Sequence, residues 1–149
     1  MGESQGSFRN DAGMPQLIVR SRGATQRLGK QESGSIVLLD KATLDYTLPP
    51  SKPGLHYKFI STIASVAQQV NTDRPTVFLL GSINQIVDTS ATSEGQFANG
   101  TSHIGIQTNG TTTGGLIGSW FEVFCLSETI WWIRGTLNSS GALATPFTT

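Results

Sequence analysis

One cysteine, two histidines and no long apolar run set the first limits on this chain of 149 residues. Cys125 has no disulfide partner within the chain and sits in the apolar run Trp120 to Leu126, where a reduced, buried thiol acts as a small hydrophobe. No stretch approaches the roughly 18 to 20 apolar residues that a membrane span requires. The N-terminus, Met1-Gly-Glu-Ser-Gln-Gly-Ser, is polar and unlike a targeting segment. These absences predict a protein folded in a reducing, soluble compartment, with no membrane span.

Signatures of chemistry are missing as well. The sequence holds no Gly-x-Gly-x-x-Gly after a strand, no phosphate-binding Walker loop, no Cys-x-x-Cys and no His-Glu-x-x-His. His56 falls on the polar side of an alternating segment and His103 lies beside a Gly-rich loop, so each reads as a surface or rim residue. The acids are dispersed, with Glu122 inside the aromatic run and Asp88 and Glu94 in or near a loop, so no carboxylate pair for glycoside hydrolysis is marked out. No enzymatic role is expected, with no catalytic, cofactor-binding or metal-ligating residues and no cofactor.

What the chain does have is enough length for one domain, since a polypeptide of this size buries about 68 to 70% of its unfolded surface without metals or disulfides. Net charge is zero, but the first 60 residues carry eight of the ten Lys and Arg and only five of the ten Asp and Glu. That asymmetry is far weaker than the dense basic clusters that bind phosphate backbones, so protein contacts are favoured over nucleic acid.

Residues 1–34 are rich in Gly, Ser, Gln and Arg, with one apolar island, Leu17-Ile18-Val19. They read as an N-terminal arm or tether, and the island as an edge strand added to this domain or to a neighbour's sheet. Residues 35–149 read as a β-domain. Ile36 to Leu39 and Leu44 to Leu48 are short β-prone runs, and Pro49-Pro50-Ser-Lys-Pro53-Gly54 stops the strand decisively. Leu55, Tyr57 and Phe59 alternate with His56 and Lys58, the pattern of a half-buried strand. Ile63 to Val70 is left as a strand continuation or loop. Thr76 to Gly81 reads as a buried strand followed by Ile83 and Ile86-Val87, Thr89 to Ser102 as a long polar loop, and His103 to Thr108 as another alternating strand.

Trp120 to Leu126 and Ile130 to Gly135 flank Ser127-Glu128-Thr129, a spacing that predicts a hairpin with much of the core in its rings. Alternation sends Trp131 and Trp132 to opposite faces, one to the core and the other to a subunit or ligand, which marks Trp132 as a possible surface-binding aromatic. Glycine and proline make up about 15% of the chain, a little above the roughly 12% of average usage, as suits a turn-rich β fold. Short strands, frequent turns and no amphipathic helix predict an all-β domain, a β-sandwich or single jelly roll. Asn99, Asn109 and Asn138 head Asn-x-Ser/Thr sequons, which chance explains in a chain so rich in Ser and Thr.

The run Gly34-Ser-Ile36-Val-Leu38, then Tyr46-Thr-Leu48-Pro49, then Pro53-Gly54-Leu55-x-Tyr57-x-Phe59-Ile60, and finally Ile117-Gly118-Ser-Trp120-Phe-Glu122 with Trp132-x-x-Gly135, spans about two-thirds of the chain. In that order these pieces resemble virion structural proteins of tailed phages and large double-stranded DNA viruses: capsid decoration or cement proteins, minor capsid or vertex proteins, and fibre heads. The resemblance implies a structural protein of the virion that oligomerises as a trimer or pentamer on an icosahedral shell and stabilises it. It would be assembled in the host cytoplasm, with the major capsid protein as partner. The arm residues Arg9, Leu17, Ile18, Val19, Arg20, Arg22, Arg27 and Lys30 would then make the capsid and subunit contacts. A receptor- or glycan-binding fibre head is the alternative.

Overall fold

The computed structural model describes residues 17–149. The described residues form twelve strands: β1 (Ile18–Val19), β2 (Thr25–Arg27), β3 (Ile36–Leu39), β4 (Thr43–Thr47), β5 (His56–Ser61), β6 (Ala67–Asn71), β7 (Phe78–Val87), β8 (Ser93–Asn99), β9 (Gly105–Thr108), β10 (Trp120–Cys125), β11 (Ile130–Ser139) and β12 (Phe147–Thr148). Between β2 and β3 a single 3-10 turn covers Lys30–Glu32, and it is the only helical element among the described residues. The strands form a seven-stranded sheet, β1-β3-β5-β10-β11-β7-β8, and a five-stranded sheet, β12-β9-β6-β4-β2. The all-β sandwich expected from the alternation is the fold observed.

Both sheets are mixed, and the reason lies in how the chain is wound. From β1 to β6 it crosses to the opposite sheet after every strand, so each return to a sheet runs in the same direction as the strand before it. β1, β3 and β5 are therefore parallel neighbours in one sheet, and β2, β4 and β6 in the other. A strand of the facing sheet here does the work that a crossover helix does in a βαβ unit. The second half is built mainly from antiparallel pairs: β7 with β8, β10 with β11, β9 with β12, and β10 and β9 against the last strands of the first half. The parallel pair of β7 with β11 joins the two hairpins.

Residues 17–34 of the expected arm are woven into this winding. β1 lies on β3 and β2 on β4, Val19 and Leu28 are buried in the core, and the Tyr57 hydroxyl donates to the Gly29 carbonyl at 2.7 Å. Among the described residues the first sheet strand is Ile18–Val19, well before residue 35. Two further expectations change. Ser93–Asn99, inside the stretch Thr89 to Ser102 expected to be a loop, is the strand β8, because the ten residues of β7 offer a ladder that pairs Ile86 with Ser93 through Leu80 with Asn99. Its Ser, Glu, Gly, Gln and Asn residues carry little β-propensity of their own. The ambiguous segment Ile63 to Val70 divides into a loop and β6.

The core fills the space between the sheets with the inward half of each alternation: Val37, Leu39, Leu44, Tyr46, Tyr57, Phe59, Leu79, Ile83, Phe121, Val123, Trp131 and Ile133 among others. Phe59 stacks on Phe121 with centroids 4.9 Å apart, and Tyr57 lies 6.2 Å from Trp131. Rings of this size bury about 150 to 250 Å² each, so they supply a large share of the apolar surface removed from water. Gly81, at φ 142°, sits where β7 meets β11, and a Cβ there would overlap the carbonyl oxygen of Ile133. Only glycine permits that close parallel pairing.

A polar plug closes the interior near the loop before β6. Buried Gln68 donates from its side-chain amide to the carbonyls of Leu39, Lys41 and Ile63 at 3.3, 2.9 and 3.2 Å, and accepts from the Ser61 hydroxyl at 3.2 Å. Ser65 donates to the Thr108 carbonyl at 2.7 Å. These bonds satisfy loop carbonyls that burial would otherwise leave unpaired.

Candidate functional site: the outer face of the seven-stranded sheet

Pairing register turns the outward half of each alternation into rows that cross the sheet. One row runs Ile18, Ile36, Lys58, Glu122, Arg134, Ser82 and Phe97. On one side of it lie His56, Phe124, Trp132, Leu80 and Asn99, and on the other Leu38, Ile60, Trp120, Thr136, Asn84 and Gly95. The face is therefore a field of aromatic and aliphatic side chains with a charged row through its middle.

Local geometry ties the charges to the rings. Arg134 donates from Nε to Glu122 Oε1 at 2.5 Å, and its guanidinium carbon lies 5.4 Å from the Trp132 ring centroid. Lys58 places its ammonium 4.8 Å from the Trp120 centroid, and it stands directly opposite Glu122 across the β5–β10 pair. His56 and Phe124 stack at 4.9 Å with an interplanar angle of 11°. Phe124 is 38% exposed and Phe97 64%. Cation–π contacts lay Lys58 and Arg134 against the rings, which gives a surface with two Trp and one Arg, residue types enriched where binding energy concentrates at protein interfaces.

The outer face of the five-stranded sheet differs in every row. Thr25, Asp45, Gln69 and Gln107 form one row, and Arg27, Thr47, Asn71, Gly105 and Thr148 the next. Asp45 accepts hydrogen bonds from the amides of Gln69 and Asn71 at 2.9 and 3.3 Å. This surface is polar, and its central carboxylate is satisfied by neighbouring amides.

Of the arm residues marked out by sequence, Arg9 lies outside the described residues. Ile18 joins the outer-face row beside Ile36, whereas Val19 points into the core and is closed to any partner. Leu17, Arg20, Arg22, Arg27 and Lys30 are exposed, and Arg27 donates to the Leu48 carbonyl at 3.4 Å. Trp131 is fully buried and Trp132 lies on the outer face, with the arginine over its ring. Sequence reasoning missed Phe124 and Phe97 as surface aromatics, and it did not unite Lys58, Glu122 and Arg134. Alternation was the available signal for the first pair, but the cross-strand row exists only once register is known.

The remaining candidates do not converge. Cys125 is buried, its thiol contacts the Ser127 carbonyl at 3.1 Å, and burial pushes its pKa up, which keeps it protonated and a poor nucleophile. His103 accepts the Asn99 N–H at 3.2 Å and lies 5.6 Å from the Phe147 ring. Glu122 and Glu94 are on strands separated by β11 and β7, roughly 14 Å at about 4.8 Å per strand, beyond the separations of a glycosidase carboxylate pair. No group of three or more His, Cys, Asp or Glu able to hold a metal occurs among the described residues, and no helix there is long and apolar enough to cross a membrane. No family of proteins, no curated protein and no solved structure matches the chain.

Proposed function

We propose that the protein is a non-enzymatic structural component of a virion, a capsid-associated module that oligomerises on or within an icosahedral shell and stabilises it. The observation that carries the docking part of this reading is the contrast between the two outer faces: one sheet turns Trp120, Trp132, Phe124 and Phe97 outward, and the other turns Asp45, Gln69, Asn71 and Gln107. A face of the first kind gains by being covered, and the second is solvated already. The sequence resemblance supplies the shell as partner. In this reading the outer face of the seven-stranded sheet is the docking surface, with Ile18 and the exposed Arg20 at its β1 edge, whereas Arg27 lies on the polar face of the other sheet.

The glycan-binding alternative is less favoured. Sugar stacking needs an open ring face, and Lys58 and Arg134 already lie over Trp120 and Trp132.

Co-expression with the major capsid protein of the same genome, followed by sedimentation of the assembled shells, tests the proposal. The full chain is expected to co-sediment, and a Trp132→Ala, Phe124→Ser double variant that keeps its circular dichroism is expected to stay in the supernatant. Equal binding by the folded variant and the parent removes the face from the interface, and failure of the parent to co-sediment sinks the capsid reading. Because β1 and β2 belong to the sheets, an N-terminal deletion that spares both strands stops at residue 16.

A further inference from the structure

The sandwich has four sheet edges, and three of them are blunted. β1 and β12 are two residues long, the latter preceded by Pro146, and β2 is three residues long and ends in Arg27. Short strands, proline and basic side chains are the usual means of preventing edge-to-edge pairing. The fourth edge, β8, is a seven-residue strand, Ser-Glu-Gly-Gln-Phe-Ala-Asn, with one charge, no proline, and Ser93, Glu94, Gly95 and Phe97 exposed.

Which backbone groups of β8 face outward follows from its ladder. Thr92 accepts from the Val87 N–H, and Gly100 donates to the Leu79 carbonyl, so even-numbered residues turn their backbone groups towards β7. Odd-numbered residues then turn theirs to the open side. The Asn99 N–H agrees, since it reaches away from β7 to His103 Nδ1. Gly95 and Phe97 present N–H and C=O groups along the exposed edge.

We propose that this edge pairs with β8 of a second copy of the chain, antiparallel about a two-fold axis at Gln96, joining the two seven-stranded sheets into one. In this register Gly95 of each copy exchanges hydrogen bonds with Phe97 of the other, and each exposed Phe97 ring covers the bare backbone of the partner's Gly95. Aromatic residues opposite glycine are a favourable cross-strand pairing. Glu94 falls opposite Ala98, which keeps the two carboxylates apart. Shifting the axis to Gly95 would draw those like charges together, and shifting it to Phe97 would set the two Phe97 rings against each other and take the aromatic cover off Gly95. The pairing extends the assembly reading, but its test uses the purified chain alone, so either can fail without the other.

Sedimentation equilibrium of the full-length protein over a concentration series up to about 1 mM is expected to show reversible association to twice the 15.9 kDa chain mass. Gly95→Pro removes an outward N–H at a position tolerant of edge proline and is expected to weaken association at least about tenfold. Phe97→Lys is expected to do the same by placing a charge on the seam, and Gln107→Lys, on the polar face of the other sheet, is expected to leave it unchanged. Amide exchange of wild-type Phe97 is expected to slow as concentration rises, which decides the matter even where a variant fails to fold. A monomer throughout the series overturns the proposal. So does a dimer indifferent to Gly95→Pro and Phe97→Lys, or a trimer or pentamer with freely exchanging Phe97, which would move self-association elsewhere on the molecule.

Discussion

The two outer faces of this sandwich are made by the same device, strict alternation along strands whose inner halves share one core, and yet they are chemical opposites. On the five-stranded sheet the outward residues are mostly Thr, Asp, Gln and Asn, with Asp45 hydrogen-bonded to Gln69 and Asn71; on the seven-stranded sheet Trp, Phe, Ile and Leu surround a Lys58, Glu122, Arg134 row. Burial of an inner face says only that a domain folds. The difference between outer faces says which side has apolar area to gain by being covered.

The comparison breaks most visibly at the neighbouring indoles of β11. Trp131→Ala empties the core and is expected to lower stability by about 3 to 5 kcal/mol, read from urea unfolding. Trp131→Phe is expected to lose much less, because the buried indole N–H has no hydrogen-bond partner to forfeit. Trp132→Ala, one residue on, is expected to stay within about 1 kcal/mol of the parent while losing shell binding. A large stability loss at Trp132 would show that the outer face serves the fold and not a partner.

The inner side has its own pH signature. Burial, with the negative charge of Asp40 nearby, pushes Tyr46 from 10.0 up to about 12, and burial raises Tyr57 as well. In the unfolded chain both phenols ionise near 10, so their contribution to stability is complete below that pH and is lost as pH climbs through the folded-state values. Urea midpoints measured from pH 8 to 12 are expected to hold and then fall above pH 10, with a shallower fall in Tyr46→Phe.

Smaller effects sharpen the contrast further. Gln68→Ala strands the carbonyls of Leu39, Lys41 and Ile63 and is expected to cost about 1 to 3 kcal/mol in thermal or urea unfolding. Glu122→Gln removes an ion pair whose arginine side chain is 59% exposed, and it is expected to change stability by less than about 1 kcal/mol while releasing Arg134 to alter binding by the aromatic face. Gln69→Ala, on the polar face, is expected to leave shell binding untouched.

Much of this was legible residue by residue. Leu55-His56-Tyr57-Lys58-Phe59 announced its phase, the Ser127-Glu128-Thr129 turn announced its hairpin, and the adjacent tryptophans announced that they part company. β8 was not legible, because its residues adopt the strand only on the ladder that β7 provides. Nor was the role of residues 17–34, whose glycines and arginines resemble a tether although Val19 and Leu28 are core.

Composition and alternation, which are local properties, determined that the chain is all-β, that it is a sandwich, and which side chains face in or out along its clearly alternating strands. Only tertiary structure decided that successive strands alternate between sheets and so run parallel, that Lys58, Glu122 and Arg134 share a row, and that β8 is left as the long open edge. Those depend on register and on the order of strands in space, which long-range contacts settle and no single segment encodes.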